Sequence, residues 1–269
     1  MRALASCLVL SVFVLASPIS AKQAVQTASA PVAVQRDSQA VVALQQAITA
    51  MGGNAPADSV ATGTVIVIAG SETDQGTVRI ETRGNSQTSE QIQTSQGTKA
   101  EVFSNGEANE IAASGTMIQS ANRAATSQSR DFPLPFLSGL LTNADESLQF
   151  VGVEQNGASS VVHLRAANTY ASQPRLRVLS EFTPIDIWLD AQTALPARIA
   201  WIQRDGGGAS PRIRRETWFS NWQSFTGVLY PTGIQKFFNG TLWITIAIQS
   251  VSLNTGLTDA DFPVEEVQP

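Results

Sequence analysis

Thiol and imidazole chemistry is almost missing from this chain, whose 269 residues include one cysteine, Cys7, and one histidine, His163. Zinc sites favour several such ligands, so the scarcity argues against a zinc centre. A Ser-His-Asp triad would have to use His163, and the sequence has no nucleophile elbow of the Gly-x-Ser-x-Gly kind. His163 sits inside Val161-Val162-His163-Leu164-Arg165, where a strand histidine facing solvent or a cross-strand partner is the plainer reading. Charge is scarce too: 14% of residues are charged, with 17 Lys and Arg against 22 Asp and Glu. No basic run occurs, which argues against a general nucleic-acid binder. Gly206-Gly207-Gly208 lacks a following Lys-Ser/Thr, so it is a hairpin tip and not a phosphate cradle. Helices and strands do not alternate over about 30 residues, which disfavours a parallel Rossmann-type sheet.

What is present begins with a leader. Met1 and Arg2 are followed by an apolar run from Leu8 to Ala16, then Pro18 and the small residues Ser20 and Ala21. Nine apolar residues are too few for a membrane span, which needs about 20. The pattern predicts a signal peptide over 1–21, cleaved after Ala21, and export to the periplasm or beyond. Cys7 precedes the apolar run, so it is read as part of the discarded leader. The mature chain then has no thiol and no disulfide. Loss of Arg2 takes the formal charge from −5 to −6. No later segment is apolar and long enough to span a bilayer.

Residues 22–36 are small and weakly patterned, a flexible lead-in to one domain over 37–269. Asp37 or Ser38 caps a predicted helix over 38–51, with Val41, Val42, Leu44 and Ile48 on one stripe and Gly52-Gly53 as the stop. Period-two alternation follows. Strands are predicted at Thr64–Ala69, Thr77–Arg83, Gln87–Thr94, Lys99–Phe103 and Glu107–Ala112, with Asn105-Gly106 as a hairpin turn. Met117–Ala125 is read as a short helix. Phe132 to Leu141 is very apolar but carries two prolines, so it is read as a short helix or loop covering something greasy. From Leu148 strands resume: Leu148–Gln155, Ser159–Ala166, Arg177–Glu181, Ile185–Asp190, Pro196–Arg204, Arg214–Gln223, Gly227–Asn239 and Thr241–Asn254. Short polar turns between them imply an antiparallel meander.

Carboxylates are scattered as Glu72/Asp74, Asp186/Asp190 and Asp259/Asp261. A hydrolase would need two of them facing across a bond. The five tryptophans, Trp188, Trp201, Trp218, Trp222 and Trp243, all fall on predicted strands. In Thr241–Val251, Leu242, Ile244, Ile246 and Ile248 share one face, and Trp243 shares the other with Thr245 and Ala247. Two readings stand: a filled core braced outside by tryptophans, or a concave apolar face with room for a lipid.

Residues 185–262 carry a likeness. Ile187-Trp188-Leu189-Asp190 leads to Leu195-Pro196. Phe219-Ser220-Asn221-Trp222 precedes Gly227 and Tyr230-Pro231, and the chain approaches its end at Asp259-Ala260-Asp261-Phe262. This order resembles the LolA/LolB-like superfamily of periplasmic lipoprotein carriers. The resemblance implies a mainly β fold with a few helices. Its curved antiparallel sheet, an incomplete barrel, would be closed by the N-terminal helix and a central apolar plug. It also implies a hydrophobic ligand, an acyl chain of a lipid or lipoprotein, with Leu44, Ile48, Phe132, Phe136, Leu137, Leu140, Ile187, Leu189, Ile244 and Ile246 facing it. Transient contact with a membrane surface or envelope protein would fit such a carrier. No catalytic group, metal or cofactor is expected. The alternative is a non-catalytic envelope interaction module with a filled core.

Overall fold

β-branched residues and Asn-Gly turns lay down most of this chain as hairpins. The computed structural model describes residues 34–119, 130–157, 159–204 and 212–264. The leader, its cleavage point, Cys7 and the glycine run at 206–208 lie outside the described residues. Thirteen strands run as β1 Asp58–Ala69, β2 Glu72–Arg83, β3 Gln87–Thr94, β4 Gly97–Ser104, β5 Glu107–Ile111, β6 Met117–Gln119, β7 Glu146–Asn156, β8 Ser159–Asn168, β9 Ile185–Asp190, β10 Pro196–Arg204, β11 Arg212–Phe225, β12 Val228–Phe238 and β13 Thr241–Leu253. All pair antiparallel in one sheet, ordered β6-β5-β4-β3-β2-β1-β13-β12-β11-β10-β9-β8-β7. The sheet is therefore two meanders, β1–β6 and β7–β13, joined by the single seam β1·β13. Asn105-Gly106 and Asn239-Gly240 both have positive φ at each residue, 50° and 97°, then 49° and 79°. That is the geometry a two-residue hairpin needs to follow the twist of its strands.

The sheet is strongly curled. Lys236 on β12 bonds Glu90 on β3, four strands away. Arg215 on β11 lies 3.9 Å from Glu101 on β4, six strands away. At about 4.8 Å per strand a flat sheet would hold these backbones about 19 and 29 Å apart. The contacts exist because the two meanders face each other.

Helices fill the open side. α1, Ser38–Ala50, is capped by the Asp37 carboxylate, which accepts from Gln39 N–H at 2.8 Å. It buries Ala40, Ala43, Leu44 and Ala47, three of them small enough for close approach. α2, Pro133–Thr142, buries Leu134, Phe136, Leu137 and Leu140. Its two prolines sit in the first turn, where backbone N–H groups lack intrahelical partners, so they start the helix instead of breaking it. In sequence α2 lies between the edge strands β6 and β7, so the chain crosses the gap there. Residues 35–37 are tied to the β7 edge: Leu148 N–H donates to Gln35 O, and Asp37 N–H to Leu148 O, both at 2.8 Å. Arg36 donates to the carbonyls of Leu141 and Asn143, joining that segment to the end of α2.

Two element assignments change. Met117–Gln119, expected to begin a helix, pairs with β5 as β6, and the rest of that stretch lies outside the described residues. Arg177–Glu181, expected as a strand, belongs to a 3₁₀ segment, Pro174–Phe182. Val178 is 70% exposed and the segment buries nothing, so no apolar face held it to the sheet. The seam itself contains a bulge at Thr62/Gly63. A Cβ on Gly63 would lie 2.1 Å from the Ala247 carbonyl oxygen and 2.8 Å from Ile248 Cα. Gly63→Ala is expected to lower stability by about 1–3 kcal/mol, the usual range for overpacking. Urea unfolding checks this, and an unchanged midpoint would show that the seam yields freely.

Candidate functional site

Between the facing meanders lies a cavity of about 570 Å³. Its wall draws on β1–β5 from one meander and on β10–β13 from the other. That volume falls within the range of about 300–1,000 Å³ common for ligand sites. Val67, Ile92, Phe103, Trp201, Trp243 and Ile244 give it apolar surface. Trp243 reaches it through a second bulge. The β12·β13 register steps from Lys236↔Ile244 to Phe237↔Leu242, leaving Trp243 as the extra residue. A bulge re-aims its side chain, and Trp243 lies 4.9 Å from the Arg215 guanidinium instead of following strict alternation.

Most of the apolar residues expected to face a ligand pack elsewhere. Leu44, Phe132, Phe136, Leu137, Leu140, Ile187, Leu189 and Ile246 are buried in the core beneath α1 and α2, with Ile48 packed against it. Ile244 alone among them lines the cavity. The strongest apolar signals in the sequence satisfy each other.

One part of the wall carries charge. Lys236 Nζ donates to Glu90 Oε2 and, at 3.0 Å, to Asp131 Oδ2. Burial pushes the Glu90 carboxyl up to about 8; Lys236 opposes the shift, while Asp131 adds to it by charge and hydrogen bonding. Burial also pulls Lys236 down, but Asp131 and Glu90 outweigh this and leave it raised. Glu90 and Asp131 therefore sit side by side under one ammonium, with burial and Asp131 both favouring the protonated form of Glu90. Beside it, Arg130 is 6% exposed and lies 4.0 Å above the Trp201 ring. Burial lowers it to about 9, against the pull of Asp131.

The acid pairs singled out from sequence do structural work. Asp74 accepts from Ser95 Oγ at the cavity rim, near Glu72. Asp190 caps its turn through Gln192 and Thr193 N–H. Asp259 accepts from Arg83 and Gln87, and Asp261 from Thr258. Asp186 binds His163 Nε2 at 2.9 Å, while Glu154 binds Nδ1 at 2.6 Å. His163 also stacks on Trp188, centroids 4.4 Å apart, so its partners lie on neighbouring strands as expected. Trp188 and His163 together hold the Glu154 carboxyl below its ordinary range. The acid cluster that does enter the cavity, Glu90 with Asp131, has Lys236 bonded to both acids. Among the described residues no group of three or more metal-ligating side chains occurs.

No family model and no curated protein matches the sequence. Solved structures do match. A domain described as an outer membrane lipoprotein-sorting protein, from Vibrio parahaemolyticus, aligns at TM-score 0.55 and 13% identity, covering 83% of this chain and 96% of its own. A LolA superfamily protein from Nitrosomonas europaea gives 0.55 and 12%, over 84% and 97%. A DUF1329 family protein from Desulfovibrio piger gives 0.53 and 11%, over 83% and 97%. The chain thus has the LolA-like fold: a mainly β, open, curled antiparallel sheet with helices in its mouth.

Proposed function

Starting from a LolA-like fold that encloses a vacant space, we propose that this protein is an exported carrier or holder of a hydrophobic ligand. The ligand is the acyl chain of a lipid, a lipoprotein or a comparable small molecule, and the place of work is the periplasm or beyond. The observation that carries the reading is the cavity of about 570 Å³ between the meanders, walled by Val67, Ile92, Phe103, Trp201, Trp243 and Ile244. A filled interaction module would have no need of it. Each buried methylene contributes about 0.8 kcal/mol, so part of one chain suffices for useful affinity. α1 and α2 close the sheet's open side and are the elements whose movement would admit a bulkier ligand. Brief contact with a membrane surface or envelope protein would deliver and remove the cargo. The role is non-catalytic.

The test is lipid extraction and native mass spectrometry of the purified protein, with uptake of a fluorescent fatty-acid probe. Ala69, exposed at the end of β1 and lining the cavity, offers a blocking position. Ala69→Trp is expected to weaken probe uptake at least tenfold with little change in unfolding midpoint. A protein that yields no lipid and takes up no probe would overturn the reading.

A further inference from the structure

We infer that Arg130 receives the oxyanion head of a single-chain amphiphile, a fatty-acid carboxylate being the simplest case, while the tail follows the apolar wall. This rests on the carrier reading above and narrows its ligand. Nε and Nη2 of Arg130 are buried and have no hydrogen-bond partner among the described residues. These two N–H groups share one edge of the guanidinium, the edge that holds a carboxylate by two parallel bonds. Trp201 and the charge of Asp131 offset part of the lost hydration, but neither supplies hydrogen bonds to that edge. The protein's own acids nearby are engaged: Asp131 and Glu90 by Lys236, and Glu101 faces Arg215 at 3.9 Å. Lys99 and Glu110 also line the cavity, with Glu72 and Asp74 at its rim. Of these groups only Arg130 combines full burial, an open fork and a place beside apolar wall. A contact with a ring face sets no fixed hydrogen-bond geometry, so the guanidinium is able to shift over Trp201 toward the cavity as a head group arrives. Val67, Ile92, Trp243 and Ile244 then receive the chain.

The experiment compares myristic acid with its methyl ester, by calorimetry, on the wild-type protein, Arg130→Gln and Arg130→Lys. Wild type should prefer the acid by about tenfold or more, the scale of a charge-assisted pair. Arg130→Gln should bring the two ligands within about threefold, chiefly by weakening the acid. Arg130→Lys, which keeps the charge and loses the fork, should fall between. Equal affinities in wild type, or a preference that survives Arg130→Gln, would overturn the inference. Should Arg130→Gln not fold, the wild-type acid-to-ester ratio decides alone. Inorganic phosphate is a further arm. Arg130-dependent binding of phosphate as tight as that of myristate would make this a free-anion site and overturn the amphiphile claim. If neither acid nor ester binds, the carrier reading itself has failed, a result distinct from loss of head-group preference.

Discussion

Lys236→Met is expected to destabilise the protein by about 3–5 kcal/mol, the range for removing one partner from a buried ionic cluster. Methionine nearly matches the length of lysine, so the loss is electrical and not a packing void. Lys236 Nζ serves both Glu90 and Asp131, and all three side chains are largely buried where the two meanders meet. Without the ammonium the two acids lie side by side in a poorly hydrated place, where burial and Asp131 both penalise a charge on Glu90. Equilibrium unfolding in urea measures the change. Adding Asp131→Asn and Glu90→Gln to Lys236→Met should recover much of the loss, because a cluster emptied of charge no longer needs a counterion. A single-variant loss under about 1 kcal/mol would mean that water reaches the cluster freely.

Stability is expected to fall as pH rises from about 5 to about 8, the reverse of a protein held by ordinary ion pairs. The ordinary value for the Glu90 carboxyl is 4.5, and folding raises it to about 8. Between those values the folded chain holds a proton that the unfolded chain has released. Linkage then requires stability to decline with pH, by at most about 1.4 kcal/mol per unit for one site. Glu146 adds to the same slope: burial lifts it to about 7, against the opposing pull of Arg36. Asp58, Asp190 and Glu216, held below their ordinary values, act in the opposite sense and at lower pH. Glu90→Gln isolates the effect. Its carboxamide copies the protonated acid, accepting from Lys236 and donating to Asp131. The variant should match wild type near pH 5 and exceed it above pH 8. Thermal unfolding across that range decides. Greater loss in the variant at pH 8 than at pH 5 would establish an ionised Glu90 paired with Lys236 in place of the protonated acid.

Strands were legible wherever alternation was clean. β3, β9 and β10 begin and end where Gln87–Thr94, Ile185–Asp190 and Pro196–Arg204 placed them. The first half of β1 was missed because Thr62 and Gly63 interrupt its pattern, and the bulge there is invisible without its partner strand. Val178 read as strand because β-branched letters do so anywhere, though nothing covers it. The cavity was harder. Its apolar residues are no greasier than those of the core, and its charged pair spans 146 positions, from Glu90 to Lys236. The residues that could have flagged it are charges in inward phase: Glu90 two places from Ile92, Lys236 two places from Ile234. A charge at a core-facing position marks either a buried pair or a ligand, and only the curl of the sheet reveals its partner.

The β1·β13 seam couples residues such as Ser59 and Leu253, at opposite ends of the domain's sequence. Each meander can assemble from neighbours as it is made, because hairpins close quickly over short loops. β1 cannot. Its second edge waits, unsatisfied, until β13 has been synthesised. Throughout that interval Val65-Ile66-Val67-Ile68 offers an adhesive β template to any other unfinished chain. The yield of soluble protein should therefore depend on how soon β13 follows the rest, and truncation before Thr241 should send the product into aggregates.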